Sequence, residues 1–430
     1  MLEKFILEKP ANNKSFTLNE LQEKMNDLRE LIYKCNNPEY LYWTDIKYKS
    51  WIKEKINPED FWQILNFSRS INSNIIADFK TENGKNFVYN NLEHFDSILK
   101  EIDNFKLDNT DYKNFFIKNN LIEEGIASSQ LEGAHTTREV AKNIIKYKKP
   151  ATNENEIMIV NNYEAMQALE NKYKYQDLSI NMILDLHTIF LKNDKNIEKN
   201  KIGCFRDEKD EIYVGNNNYY THKAPEINYA KNELNKLIDF ANNNKNYHPI
   251  ITAIIIHCLI AYLHLFIDGN GRLSRCLFYW YLLKNNYDYM IFFPISRVIK
   301  KSQKQYSNSF IYFQQNDFDM TYIFDYNLRK IQQAKNEFNE YYNKKIIELE
   351  SQEKDIFKLI KDNDFNTRQE KVINDLFLNK IPYLTINYMT NIYNITRQTA
   401  GNDLKDLENK NLLTSKKVGR EVRYYKNKNR

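Results

Sequence analysis

Glycine and proline are scarce in this 430-residue chain, with nine and eight residues respectively, about a third of ordinary usage. Both supply the backbone angles of tight turns, so a fold made of many short strands is excluded and a mostly helical chain is expected. Cysteine is thin as well. Cys35, Cys204, Cys258 and Cys276 stand far apart with no CxxC pair, which excludes zinc-ribbon and dithiol chemistry and leads us to expect reduced thiols in a cytoplasmic protein. The opening MLEKFILEKPANNKSF shows no apolar stretch behind a basic start, so neither export nor a membrane anchor is expected. The longest apolar run, Pro249 to Phe266, contains two His, a Thr and a Tyr. It is short of the roughly 20 residues of a membrane span and predicts a buried core helix.

Aromatic rings are abundant, with 31 Tyr and 25 Phe among 42% hydrophobic residues. Such a chain can bury a large core, and its length exceeds what one core holds, so two or three domains are expected and wholesale disorder is excluded. The net charge of +5 is uneven. Lys410 to Arg430 carry eight basic residues against Glu421, a local +7 that leaves −2 for the other 409 residues. No repeat of 20 to 50 residues is present.

Residues 1–113 predict a helical region with Trp43, Trp51 and Trp62 as core anchors. Amphipathic patterns follow over 114–130, 139–148, 155–173 and 178–193. Between Gly203 and Pro225 the β-formers Ile212, Tyr213 and Val214 mix with turn residues and predict a short hairpin. Helices resume over 227–242, 249–266 and 272–284. The charged stretch 331–350 predicts a helical linker to a separate domain at 351–430.

Two of the nine glycines flank Asn270, in His264-Leu265-Phe266-Ile267-Asp268-Gly269-Asn270-Gly271-Arg272-Leu273-Ser274-Arg275. One apolar helix enters this stretch and another leaves it. The free N–H groups of the second helix and the positive end of its dipole make an anion site. Arg272 and Arg275 oppose that dipole at about 0.3–1 kcal/mol each, which points to a polyphosphate. Asp268 would repel phosphate unless a cation such as Mg²⁺ lay between them. His264 suits a general base, whereas His257 reads as a core group and Phe266 as a packing anchor.

The stretch resembles the signature of the Fic family, HxFx(D/E)GNGRxxR, at every specified position. The resemblance covers about residues 114–325. It implies an all-helical core with a β-hairpin flap near 203–225, and transfer of AMP from ATP to a Ser, Thr or Tyr hydroxyl of a protein, with pyrophosphate released. It further implies that His264 activates the hydroxyl, that Asp268 holds Mg²⁺, that Gly269, Asn270, Gly271 and Arg272 cradle the α- and β-phosphates, and that Arg275 meets the γ-phosphate. Ser128-Ser129-Gln130-Leu131-Glu132-Gly133 resembles the family's inhibitory motif [S/T]xxxE[G/N], through Ser128, Glu132 and Gly133, on a helix near 120–133. By that resemblance Glu132 would pair with Arg275 and unseat the γ-phosphate; the same carboxylate could instead orient a water for AMP removal, and the sequence leaves the net direction open. The flap departs from the family, since NNNYY and THK replace its commoner Pro-rich, apolar stretch, and the target protein stays unidentified.

From Ile381 the pattern of a short helix, the N-cap residue Thr396, a second helix to about Asn409 and two strands around Gly419 resembles a winged helix-turn-helix. Arg397, Gln398 and Asn402 would face outward, with Arg420 and Arg423 on the wing. DNA contact fits the local charge; protein docking or a homodimer is the other use of such a domain. The expected whole is a self-inhibited adenylyltransferase using ATP and Mg²⁺. Its rivals are a de-adenylylating or bifunctional enzyme on the same site, and a DNA-binding regulator that uses the loop to sense nucleotide; a general base argues against the last, since a sensor needs none.

Overall fold

The computed structural model describes residues 3–8, 10, 15–107, 112–147, 149–215, 218–378, 381, 383–419 and 421–427. It divides into two compact units, Met1–Ile145 with Pro150–Lys335, and Asn336–Arg430 with Lys146–Lys149. The charged stretch 331–350 belongs to one helix, Thr321–Lys361, that passes from the first unit into the second.

At the centre of the first unit lie the helices Pro249–Leu263 and Asn270–Lys284. Thirteen of the fifteen residues in each are buried; the first is apolar on nearly every side, as a core helix is, whereas the second buries Asn270, Arg272, Ser274 and Arg275 in its opening turns. Among the described residues no helix is long and apolar enough to cross a membrane. The helices Lys113–Leu131, Glu154–Ala168 and Ile180–Phe190 belong to the same unit. Gly125 lets two of them meet closely: a Cβ there would fall 3.2 Å from the Tyr163 backbone. Asn153 and Ser179 cap the starts of the second and third by accepting from the Glu156 and Met182 amides, each the third residue of its helix, which satisfies donors the helix itself cannot.

The expected hairpin is present as antiparallel strands Tyr213–Gly215 and Tyr219–Lys223. Asn216 and Asn217, within NNNYY, lie outside the described residues. The hairpin has a third strand that periodicity did not suggest: Glu3–Lys4 runs parallel to Tyr219–Tyr220, with the Phe5 ring stacked on Tyr219.

The N-terminal region is not purely helical, which corrects the expectation for residues 1–113. Strands Asn74–Lys80 and Asn86–Tyr89 form an antiparallel pair, turned at Gly84 with φ +76. Trp43 and Trp62 are buried, whereas Trp51 is only half-buried.

In the second unit, helices Thr367–Phe377, Ile386–Tyr393 and Arg397–Asn409 precede the antiparallel strands Leu413–Val418 and Glu421–Lys426. Leu404, Leu407, Leu412 and Leu413 join Val372, Ile373 and Leu376 in its core. Thr396 caps the third helix by accepting from the Thr399 amide, and Leu384 bridges to Tyr424, adding a third segment to the ribbon.

Candidate active site

The Pro249–Leu263 helix ends where His264 turns left-handed, at φ 48 and ψ 55. A β-carbon makes that conformation costly, and the surroundings hold it in place. Arg206, itself buried, donates from Nε to the His264 carbonyl at 2.8 Å and from its backbone amide to the Leu265 carbonyl at 2.9 Å. The His264 Nδ1 stands 3.1 Å from the Ala261 carbonyl. A carbonyl only accepts, so Nδ1 carries the proton and Nε2 is left with a free lone pair. Burial, then the neighbouring His222, lowers the His264 pKa to about 4, so the ring is neutral and able to take a proton at physiological pH.

The loop after His264 closes on itself through Asn270. Its side chain accepts from the Phe266 amide at 3.0 Å and donates to the Phe266 carbonyl at 2.7 Å. The Asn270 side chain therefore staples the turn and faces inward; what it can offer a ligand is its backbone N–H. Gly269 serves as N-cap at φ 85 with no side-chain cap, so the first amides of the Asn270–Lys284 helix have no partner within the helix.

Asp268 accepts from the Gly269 amide at 2.5 Å and pairs with Arg272 at 2.9 Å. Arg272 is fully buried, while the Asp268 side chain is 40% exposed. Arg275 reaches the other way. It donates from Nε to Ser128 Oγ at 2.9 Å and from Nη2 to the Ser128 carbonyl at 3.0 Å and to Glu132 Oε1 at 2.7 Å.

Ser128 and Glu132 reach Arg275 because they lie four residues apart at the end of the Lys113–Leu131 helix. Gly133, at φ 95, ends that helix in a left-handed turn, with the Ala134 amide bonded to the Ser129 carbonyl; glycine takes this conformation without strain. Glu132 Oε1 lies directly over Gly271, where a Cβ would come within 2.2 Å of it. The structure thus brings His264, Asp268, Gly269, Gly271, Arg272, Arg275, Ser128 and Glu132 together.

Three contributors were not found from the sequence. Glu124, one turn before Ser128, is buried and bonds Tyr279 Oη at 3.0 Å, the Ser296 amide at 3.0 Å and the Ser296 hydroxyl; burial raises its pKa. Arg206 is the second. His222, on the hairpin, sets Nε2 2.8 Å from the Tyr262 carbonyl and ties the flap to the chain just before His264. Two of these, Arg206 and His222, lie in the stretch read only as a hairpin, where a single Arg and a single His carry no spacing signal.

In the second unit Arg397, Gln398 and Asn402 are exposed on the Arg397–Asn409 helix, with Arg397 donating to Asn387 at 3.1 Å. Arg423 pairs with Glu421 at 3.2 Å and stacks on Tyr383. Arg420 lies outside the described residues.

Residues 177–282 match the Fic/DOC family model, and residues 354–429 match the model for the C-terminal domain of SoFic-like protein adenylyltransferases. The protein adenylyltransferase fic-1 of Caenorhabditis briggsae is 30% identical over 116 residues, 26% of this chain and 21% of that protein. The protein adenylyltransferase Fic of Drosophila willistoni is 31% identical over 113 residues, again 26% and 21%. A Fic family protein from Desulfovibrio desulfuricans G20, solved by crystallography, aligns over 77% of this chain and 94% of its own at 18% identity and a TM-score of 0.49. The chain spans about a fifth of the length of the curated relatives it matches. It carries a Fic/DOC domain followed by a SoFic-like C-terminal domain.

Proposed function

We propose that this chain is a self-inhibited protein adenylyltransferase of the cytoplasm, which transfers AMP from ATP to a Ser, Thr or Tyr hydroxyl of a target protein. The observation that carries the reading is the Glu132 carboxylate, paired with Arg275 and set over Gly271. A helix N-terminus with two arginines beside it binds an anion, and here the chain's own carboxylate already fills part of that seat. With Glu132 withdrawn, the amides of Gly269 to Gly271 and Arg272 hold the α- and β-phosphates and Arg275 holds the γ-phosphate. His264 Nε2 takes the proton from the attacking hydroxyl. A bond forms between that oxygen and the α-phosphorus while the α–β bridging P–O bond breaks, and pyrophosphate leaves.

Among the described residues no three His, Cys, Asp or Glu side chains cluster as a metal cage. A lone, part-exposed carboxylate nonetheless fits Mg²⁺, which draws its other ligands from phosphate and water. Asp268 would hold it, and when bound the ion would neutralise charge on the phosphates. Arg206 keeps the His264 carbonyl in place, and the Ala261 carbonyl keeps the ring in the tautomer the transfer needs.

The same residues support AMP removal, since Glu132 is near enough to His264 to raise its pKa, and a carboxylate so placed can orient a water. Incubation of the wild-type chain and Glu132→Gly with α- and γ-labelled ATP and candidate proteins tests the reading. Protein that retains the α-label alone supports AMP transfer. Retention of the γ-label, or of neither by both proteins, overturns it.

For the second unit we propose a winged helix-turn-helix that binds DNA. Exposed Arg397, Gln398 and Asn402 on one helix and exposed Lys416 and Lys417 on the ribbon support that reading. Docking to a protein or to a second copy is the alternative outcome of its test.

A further inference from the structure

One side chain outside the motif grips the turn on which the phosphate seat depends. His187, on the Ile180–Phe190 helix, is 1% exposed and stacks on Phe266 with ring centroids 3.8 Å apart. Its Nε2 lies 3.1 Å from the Asp268 carbonyl and its Nδ1 lies 2.9 Å from the Gly203 amide. These partners decide the tautomer. An amide only donates, so Nδ1 is bare; a carbonyl only accepts, so Nε2 carries the proton. The ring also lies against the glycine of the turn, since a Cβ on Gly269 would come 3.4 Å from His187 Cδ2.

We propose that His187 is a positioning residue for the anion site. Its Nε2–H holds the Asp268 carbonyl, which fixes the peptide plane between Asp268 and Gly269 and so aims the amides that follow it at the phosphates. Its Nδ1 ties the same ring to Gly203, at the head of the short segment whose Arg206 holds the His264 carbonyl. One ring therefore braces the phosphate seat and the support of the base together. The inference rests on the functional reading above for what the seat holds, but not for the bracing itself.

The two contacts separate by substitution in the full chain. In His187→Gln the amide nitrogen reaches the place of Nε2 and keeps a donor for Asp268; in His187→Asn the shorter side chain reaches only the place of Nδ1 and keeps an acceptor for Gly203. His187→Phe keeps the stack on Phe266 and loses both bonds. Hydrogen exchange of the amides at 268–271 is measured in each, with the amides of the Pro249–Leu263 helix as the control for an intact fold. Exchange at least tenfold faster in the Asn and Phe variants, with near-native rates in Gln, is the expected result. Binding of Mg²⁺–ATP, measured in the Glu132→Gly background, should weaken about tenfold in the same order. Equal behaviour of Gln and Asn, or native exchange in Phe, overturns the proposal. A Glu132→Gly chain that transfers no AMP would sink the functional reading, while the exchange rates would still decide the role of His187.

Discussion

Glu132 Oε1 accepts from Arg275 Nη2 at 2.7 Å, and the same oxygen stands where a Cβ on residue 271 would fall. A carboxylate in that place has the charge and the partners of a bound phosphate oxygen. It is anchored from behind, because Glu124, Ser128 and Glu132 repeat every four residues along one face of their helix and the first two are buried in bonds to the core. Only Glu132, 27% exposed, is free to leave without unfolding that helix.

The first prediction follows from that asymmetry. Glu132→Gly should raise AMP transfer at least tenfold, because Arg275 then has no competing acceptor at the seat. Arg275→Ala in the same background should reverse most of the gain, since a charge-assisted bond of this kind contributes about 1.5–3 kcal/mol. Labelling that is the same with and without Glu132 would remove it from control of the site.

Gly271→Ala offers a test that reads stability rather than activity. Alanine is favoured over glycine inside a helix by about 0.5–1 kcal/mol, so the substitution should stabilise unless something occupies the space. In the wild type its Cβ meets Glu132 Oε1 at 2.2 Å, and the pair with Arg275 must shift. We expect Gly271→Ala to lower the melting temperature of the wild type and to raise it, or leave it unchanged, in Glu132→Gly. The same sign in both backgrounds would mean that the carboxylate does not lie over the glycine in solution.

His264→Ala should cut transfer by about 10²–10⁴ and change ATP affinity less than threefold, because the base meets the acceptor hydroxyl and not the phosphates. The pH dependence carries a sign of its own. The active form is the neutral ring, and burial holds its pKa near 4, so the rate should stay flat from pH 8 down to 5 and fall only as the pH approaches 4. Removing Glu132, whose charge raises that pKa, moves the fall no higher. An inflection near 6.5 in the Glu132→Gly enzyme would show a solvated histidine instead.

What the sequence made legible follows the range of each interaction. The stretch 264–275 packs a base, a carboxylate, two glycines and two arginines into twelve residues, so local chemistry alone announces an anion site. The contact of Glu132 with Arg275 spans 143 residues and was anticipated only through resemblance to a motif. His187 had no such aid. It is one histidine on a helix, and its partners lie 16 and 81 residues away, a register that periodicity does not encode. The Glu3–Lys4 strand escapes for the same reason. The hairpin at 74–89 is different, since Asn83-Gly84 between alternating apolar residues is a strong turn signal that the helical reading of the region passed over.

The last prediction concerns the second unit, where the basic tail has more than one use. If it binds DNA, the affinity of the full chain for duplexes should fall steeply with salt, by a slope close to 0.9 per phosphate neutralised. Arg397→Ala should cost about 1–3 kcal/mol on a preferred site if the guanidinium grips a guanine, and it must first give up Asn387, its partner at 3.1 Å. Lys416 and Lys417 are exposed on the ribbon, so replacing them should weaken all sequences alike. Arg423 differs from them: its ion pair with Glu421 withholds charge from a phosphate, so Glu421→Gln should tighten binding where Arg423→Ala loosens it. A chain that ignores DNA at about 50 mM salt yet sediments as a dimer would assign the same face to a second copy, and the catalytic reading, which rests on the first unit, would be unaffected.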